Sequence, residues 1–163
     1  MDFLWSPWRY RYLKEGPQGE GCVFCRIAAL DDDDTNLVVY RGESNFVVLN
    51  RYPYTSGHAM VIPYEHYGTL EETPVATLEE NMRLTQRLEA AVRRAYRADG
   101  VNIGINVGKA AGAGVAGHIH THVLPRWIAD SNFIAVIGET RVLPEELSDT
   151  LTKLRAAFEA SPE

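Results

Sequence analysis

The sequence has few cysteines and no long apolar run, and both scarcities limit the kind of protein it encodes. Two cysteines in 163 residues are too few for a small scaffold held together by disulfides. No apolar window approaches the length that a bilayer crossing needs, so we expect no membrane contact. Residues 1–13 contain Arg9 and Arg11 without an apolar run. They do not resemble a secretory signal, and we predict a cytoplasmic protein.

Positive charge is also scarce. Sixteen Lys and Arg residues against 22 Asp and Glu residues leave a net charge of −6, which argues against nucleic-acid or acidic-membrane binding. An anionic substrate would therefore have to be attracted by local groups. The composition is that of an ordinary globular protein, and the length predicts one domain over residues 1–163. Residues 1–21 form an aromatic N-terminal arm in this division, and residues 127–163 form a C-terminal extension.

Alternating and helical apolar patterns predict an α+β fold. Strands are predicted over residues 37–40, 46–49, 58–62, 102–107 and 133–137, and over the histidine-rich stretch 117–126. Helices are predicted from Pro74 to a stop at Gly100, and over residues 144–158. Strands that alternate with helices through short connections predict a mostly antiparallel sheet with helices packed on it.

We predict that the longer helix packs against the rest of the domain and carries no functional residues. Residues 77–80 have the form of a capping box. An apolar stripe at helical spacing follows, formed by Leu78, Met82, Leu88, Ala91, Val92 and Ala95. Nothing in this pattern calls for chemistry.

Three of the five histidines, His118, His120 and His122, alternate along one predicted strand. Residues two apart in a strand point to the same face, so the spacing predicts one row of imidazole rings. Such a row is a poor choice for packing, because each buried ring needs hydrogen-bond partners. We therefore assign it to chemistry, as nucleophile, general base or metal ligand.

A glycine-containing loop over residues 108–114 precedes the histidines. Its glycines allow the backbone to approach a ligand, and successive amides can form an anion cradle. The loop is not a Walker motif, because the spacing and the following Ser or Thr are missing. Beside an imidazole row it predicts a phosphate site. His120, the central ring, is then the candidate nucleophile, its other nitrogen held by a backbone carbonyl, while His122, His58 and Lys109 could donate to phosphate oxygens.

The two cysteines supply half of a tetrahedral zinc site. Cys22 and Cys25 have the spacing of a ligand pair. The residues alone leave the other ligands open among His58, His66, His118, His120 and His122. A redox pair would open a helix in a βαβ setting, which the sequence does not predict, and a bare buried thiol pair is the simpler alternative.

Residues 118–124 resemble the signature of the histidine triad superfamily, in which histidines alternate with apolar residues. Thr121 departs from it by its hydroxyl. Residues 49–63 are similar to the first half of that superfamily's domain, and residues 4–9 and 125–144 resemble its bacterial diadenosine tetraphosphate phosphorylase-like branch.

This resemblance implies a fold, a site and partners. The fold is a five-stranded, mostly antiparallel sheet with one long helix and a C-terminal helix, paired into a homodimer. The reaction is attack on an α-phosphate, giving a nucleotidyl-histidine on His120. The resemblance further implies the following residues: His58, His118 and His122 as assistants, Asn50 on the ribose, Asn106, Gly108 and Lys109 on phosphates, and Cys22, Cys25, His66 and His118 on a structural Zn²⁺. Gly114 stands where relatives carry Gln or Ser.

The predicted function is an enzyme that splits dinucleoside polyphosphates with phosphate or water. It needs no organic cofactor and binds adenine nucleotides rather than nucleic acid. One alternative is a purine nucleoside phosphoramidase that uses the same nucleophile. Another is a regulatory nucleotide-binding protein without turnover, which the presence of all three histidines disfavours.

Overall fold

The computed structural model of the chain describes residues 21–130 and 145–161. The helices in these ranges are α1 (Val23–Ala29), α2 (Val75–Tyr96) and α3 (Leu147–Glu159). The strands are β1 (Val38–Arg41), β2 (Asn45–Leu49), β3 (Ala59–Pro63), β4 (Gly100–Ile105) and β5 (Thr121–Arg126). The predicted N-terminal arm and the predicted strand over residues 133–137 lie outside the described residues.

The five strands form one antiparallel sheet in the order β1-β2-β3-β5-β4. β5 is therefore an inner strand, inserted between β3 and β4. His122 on β5 lies opposite Met60 on one side and Gly104 on the other. The predicted α+β class and the antiparallel sheet are confirmed, and the sheet places the histidine segment at its centre.

The two longer helices pack against each other and against the sheet. Leu84, Leu88 and Val92 of α2 are buried, as are Leu154 and Phe158 of α3. Among the described residues, no helix combines the length and the apolarity that a membrane crossing demands.

The apolar stripe predicted for α2 is wrong in its first half. Met82 is 62% exposed, because the inward positions there are polar. Thr77, Glu80 and Asn81 are buried instead. The inner face of this helix is therefore mostly polar as far as Asn81, and from Leu84 onwards it is apolar except for Thr85.

The start of the long helix at Pro74 is confirmed, but its predicted capping box and its predicted stop differ from the structure. Residues 77–80 do not form a capping box, because the helix begins after Pro74 without a side-chain cap. Glu80 is used elsewhere, as an acceptor for the amides of the β1–β2 turn. The helix ends at Arg97, which adopts the left-handed conformation with φ of 47°, and Gly100 is already the first residue of β4.

Helix α1 was not predicted. It begins directly after Cys22 and has seven residues. A helix of this length is too short to show a helical apolar period. The carbonyls at its C-terminal end accept hydrogen bonds from the Arg41 guanidinium on β1, at Ala28 and at Leu30. The sheet thus holds this helix, and with it the cysteines, in place.

Candidate active site and metal-ligand cluster

The histidine-rich stretch is a strand only in its second half. β5 begins at Thr121, so His118 and His120 precede the hydrogen-bonded ladder. The rings of His120 and His122 lie together with centroids 4.8 Å apart, whereas the His118 ring turns towards Cys22. The structure therefore confirms ring contact within the predicted row for His120 and His122, and gives the His118 ring a cysteine neighbour instead.

His120 is held with one nitrogen free for chemistry. Its Nδ1 lies 2.9 Å from the carbonyl oxygen of His118. A carbonyl only accepts, so Nδ1 carries the proton and Nε2 keeps its lone pair. The predicted carbonyl partner is thereby confirmed. The flanking rings are Phe24, at 5.1 Å, and His122, so Phe24 takes the place expected for His118.

His58 sets the proton position on His122. The backbone N–H of Tyr54 donates to Nδ1 of His58 over 3.1 Å, so the His58 proton is on Nε2. That Nε2 lies 2.9 Å from Nδ1 of His122 and donates to it. His122 must then carry its own proton on Nε2, and this group remains as a hydrogen-bond donor beside the His120 ring.

The imidazole cluster is neutral at ordinary pH. Burial, with the neighbouring His122 and His120 rings, lowers the pKa of His58 to about 3. Burial and the His120 ring lower the pKa of His122 to about 4. Burial also lowers the pKa of His120, although its bond to the His118 carbonyl acts in the opposite direction. A neutral cluster offers a lone pair and an N–H donor together, which is what attack on a phosphoryl group requires.

The expectation that His58 donates to phosphate does not match the geometry. Both of its nitrogens are engaged, with Tyr54 and with His122, and the side chain is 1% exposed. Asn50 supports the same arrangement, with its Nδ2 3.3 Å from Nδ1 of His58 and its Oδ1 accepting from the amide of Tyr52. His58 therefore orients the His122 ring and has no nitrogen left to donate to a bound phosphate.

The glycine loop is less open than the sequence suggests. Gly108 has a φ of 81° and leads into a short 3-10 turn over Lys109–Ala111. The amides of residues 111–113 donate to the carbonyls of Gly108 and Lys109, so these three amides are not free donors for an anion. Lys109 and Gly114 are exposed.

Asn106 lies at the end of β4, one residue beyond the pair that Ile105 forms with Thr121. Thr121 is the neighbour of His120 in the chain. The sheet register thus brings this predicted nucleotide contact to the same end of the sheet as the nucleophile.

Four side chains gather next to the imidazole cluster. The ligand atoms of Cys22, Cys25, His66 and His118 lie within 4.8 Å of one another. His118 Nδ1 lies 3.4 Å from the Cys22 sulfur, and His66 Nδ1 lies 3.3 Å from the Cys25 sulfur. Two sulfurs and two imidazole nitrogens are a donor set that suits tetrahedral zinc.

The orientation of His118 fits a metal ligand. Its Nε2 donates to the carbonyl oxygen of Pro63 over 2.9 Å, which leaves Nδ1 unprotonated and facing the sulfurs. His58, His120 and His122, which the sequence alone left open as ligands, face each other instead. The structure therefore separates the five histidines into two that face the cysteines, His66 and His118, and three that face one another.

Two aromatic side chains at the site were missed by the sequence interpretation. Phe24, between the cysteines, contacts the rings of both His118 and His120. Tyr54 lies 4.7 Å from the His58 ring. Each comes from a segment without strong periodicity, and the position of Phe24 inside the cysteine pair was the signal available for it.

Comparisons with known proteins agree on one family. The family model for the HIT domain matches residues 32–127. A Mycobacterium tuberculosis protein named AP-4-A phosphorylase is 38% identical over 98% of this chain and 85% of its own length. An Arabidopsis thaliana protein named adenylylsulfatase HINT3 is 34% identical over 64% of this chain and 52% of its own.

Solved structures show the same likeness. The crystal structure of a Zn-bound histidine triad family protein from Mycobacterium smegmatis has a TM-score of 0.72 and 35% identity, covering 86% of this chain and 94% of that one. A hypothetical histidine triad nucleotide-binding protein from Sulfolobus tokodaii has a TM-score of 0.69 and 28% identity, covering 85% of this chain and 93% of that one. With a family model across more than half of its length and a relative aligned to nearly all of it, the chain belongs to the HIT domain family.

Proposed function

We propose that this protein cleaves a dinucleoside polyphosphate through a nucleotidyl-histidine intermediate on His120. The observation that carries the proposal is the tautomer of this residue. Its Nδ1–H is committed to the His118 carbonyl, so its Nε2 lone pair is held on a neutral, oriented ring. A nitrogen in that state can attack a phosphorus atom without first losing a proton.

The first step exchanges one bond to phosphorus for another. The lone pair of His120 Nε2 forms an N–P bond with the α-phosphorus, while the bond from that phosphorus to the bridging oxygen breaks. The leaving polyphosphate keeps the electron pair, and the Nε2–H of His122 is the hydrogen-bond donor for it. The substituted ring now carries positive charge, which strengthens the hydrogen bond from Nδ1 to the His118 carbonyl.

The second step transfers the nucleotide to an acceptor oxygen. Inorganic phosphate, acting as the nucleophile, forms the new P–O bond as the N–P bond breaks, and His120 recovers its lone pair. Diadenosine tetraphosphate then yields ATP in the first step and ADP in the second. With water as acceptor, the second product is AMP. The M. tuberculosis relative named AP-4-A phosphorylase supports phosphate as the acceptor.

Nucleotide contacts follow from position around this centre. We assign the ribose to Asn50 and the phosphates to Asn106, Gly108 and Lys109, with Gly114 at the leaving-group side. Asn106 is supported by the register that ends beside Thr121. Lys109 supplies an exposed positive charge in a chain whose net charge is negative, which meets the need for local attraction of an anion.

A structural Zn²⁺ is the second part of the proposal. Cys22, Cys25, His66 and His118 would hold it, and the Nε2 bond from His118 to Pro63 orients that ring for the task. When bound, the metal supplies a cross-link between α1, the segment after β3 and the segment before β5. Thiolate ligands suit a reducing compartment, in keeping with a cytoplasmic protein.

We also propose a homodimer in which β4 meets its copy. β4 is an edge strand of the described sheet, and Ile103 on it is 46% exposed. An apolar side chain on an exposed edge strand favours pairing with another chain.

The experiment that tests the reaction offers diadenosine tetraphosphate with and without inorganic phosphate, and adenosine phosphoramidate separately. We expect ATP and ADP with phosphate. AMP in place of ADP would make the protein a hydrolase, and turnover of the phosphoramidate alone would make it a phosphoramidase. Binding without any product would contradict an enzymatic function.

The variant His120→Asn separates the nucleophile from its scaffold. The asparagine amide can still donate to the His118 carbonyl, so the local fold is retained while the attacking nitrogen is lost. We expect no nucleotidyl-protein in a trapping assay quenched with alkali, because acid hydrolyses the N–P bond of a nucleotidyl-histidine, and we expect a kcat lower by about 10³-fold or more. Wild-type turnover by this variant would show that another residue is the nucleophile.

A further inference from the structure

A buried polar chain reaches the histidine segment from the side opposite the reactive rings. Thr121, between His120 and His122 in sequence, points to α2 and donates its hydroxyl hydrogen to Oδ1 of Asn81 over 2.8 Å. Asn81 in turn donates from Nδ2 to Oδ1 of Asn45 over 3.0 Å. All these polar side chains are nearly inaccessible to solvent.

The chain ends on a carboxylate that fixes its direction. Asn45 donates from Nδ2 to Glu80 over 2.8 Å, and the amides of Glu43 and Ser44 each donate to the same carboxylate over 2.7 Å. Burial alone would raise the pKa of Glu80, but these hydrogen bonds outweigh it and hold that pKa below its ordinary value. Glu80 is therefore ionised and can only accept.

One charged acceptor consequently orients every member of the chain. Since Glu80 accepts, Asn45 must present its NH₂ to it and its oxygen to Asn81. Asn81 must then present its NH₂ to Asn45 and its oxygen to Thr121. The Thr121 hydroxyl must then donate to Asn81, and this bond orients its side chain towards the helix.

The position of Thr121 makes this constraint relevant to the reactive rings. The sheet ladder holds Thr121 in the plane of the sheet, opposite Val61 and Ile105. The hydrogen bond from Thr121 to Asn81 is directed out of that plane, towards α2. It therefore sets the distance between the helix and the backbone that links His120 to His122. Near this residue the ladder ends, so His120 itself has no strand pairing to locate it.

We propose that Asn81 and Thr121 are positioning residues for nucleotidyl transfer, acting through the backbone that carries His120 and His122. This inference rests on the proposed function, since it concerns the same nucleophile. It assigns a role to the hydroxyl by which Thr121 departs from an apolar residue. Neither residue touches the substrate; together they hold the His120 nitrogen and the His122 donor in register.

The test varies the hydroxyl of Thr121. Thr121→Val removes the donor and keeps the shape, whereas Thr121→Ser keeps a hydroxyl and Thr121→Cys offers a weak donor, both without the methyl group. The matched control is Thr85→Val, because Thr85 lies on α2 one turn after Asn81. Thr85 is 1% exposed, and its hydroxyl has no hydrogen-bond partner among the described residues, so the same chemical change there removes no bond.

We expect kcat to fall about tenfold in Thr121→Val and by less in Thr121→Cys, with KM within about twofold of wild type. Thr121→Ser and Thr85→Val should keep kcat within about twofold. If the valine variant does not fold, the serine and cysteine variants, which both lack the methyl group and differ in the donor atom, decide the matter. Equal kcat values across the Thr121 series would overturn the proposal.

A second measurement separates this inference from the proposed function. Imidazole ¹⁵N spectra of the substrate-free protein report which ring nitrogen carries the proton. We expect single tautomers for His120 and His122 in wild type and in Thr85→Val, and mixed or broadened signals in Thr121→Val. These spectra test positioning even if wild type turns over no dinucleoside polyphosphate. Unchanged spectra in Thr121→Val would overturn the positioning role whatever the activity.

Discussion

His120 donates its Nδ1–H to the backbone carbonyl of His118, two residues earlier, over 2.9 Å. The side chain of the same His118 faces the cysteine sulfurs. One residue therefore offers its backbone to the reactive ring and its ring to the ligand cluster. A substitution that displaces the His118 ring is expected to move the His118 carbonyl as well, and so to alter which nitrogen of His120 carries the proton.

Removing a cysteine ligand should release the metal. We expect wild-type protein to carry about one zinc per chain, and Cys22→Ser to bind zinc at least about tenfold more weakly, with a lower Tm. Elemental analysis and thermal unfolding measure both. Glu65→Gln is the control, because Glu65 is an exposed acid beside His66 that lies outside the four-residue cluster. Wild-type protein without zinc would end the metal proposal.

Stability should fall as the pH is lowered through the range where the unfolded histidines titrate. Folded His122 has a pKa of about 4 and His58 of about 3, both below the ordinary value of 6.5. At a pH between these folded values and 6.5, the unfolded chain binds more protons than the folded protein. The free energy of unfolding therefore rises with pH in this range. His122→Gln keeps an acceptor for His58 and removes one titration.

Denaturant unfolding between pH 5 and pH 7 measures this difference. We expect His122 to account for roughly 1 to 2 kcal/mol of the free energy of unfolding that is lost at pH 5. A plot of that free energy against pH should therefore be steeper for wild type than for His122→Gln, by a slope that corresponds to the uptake of up to one proton. Parallel curves would mean that His122 titrates normally in the folded protein.

The carboxylate at the end of the buried chain should matter for stability. Glu80→Gln replaces one of its two acceptor oxygens by a donor that faces the amides of Glu43 and Ser44. We expect a loss of about 1 to 3 kcal/mol in the free energy of unfolding. Glu79→Gln, at the exposed neighbouring position, serves as the control and should change stability by less than about 0.5 kcal/mol. Equal effects of the two substitutions would contradict the buried role of Glu80.

A charge on the exposed face of β4 should weaken self-association. Ile103→Glu places a carboxylate on the edge strand, and we expect its dimer to dissociate at about tenfold higher protein concentration than wild type. Light scattering over a dilution series measures this. Leu30→Glu is the matched control, since Leu30 is 49% exposed and lies at the end of α1, away from β4 in the chain. A wild-type monomer at all concentrations would refute the dimer.

The sheet and the two longer helices could be predicted because their apolar residues repeat at strand or helix period. Helix α1 could not, since seven residues carry too little pattern. The burial of Glu80 and exposure of Met82 also escaped prediction. Hydrophobicity ranks them in the opposite order, and only the partners brought by the β1–β2 turn make the carboxylate the better inward residue.

By itself, the sequence identified the candidate residues for the chemistry: three alternating histidines, two more upstream, and a cysteine pair. That information is local, because residue type and spacing decide which groups can attack, donate or ligate. The tertiary structure alone decided how the histidines divide. The His118 ring faces Cys22 while the Pro63 carbonyl takes its other nitrogen, and His120 keeps its free nitrogen because the His118 carbonyl takes the other. Such choices depend on atoms far apart in the chain, such as the Pro63 carbonyl that orients His118, and no local pattern records them.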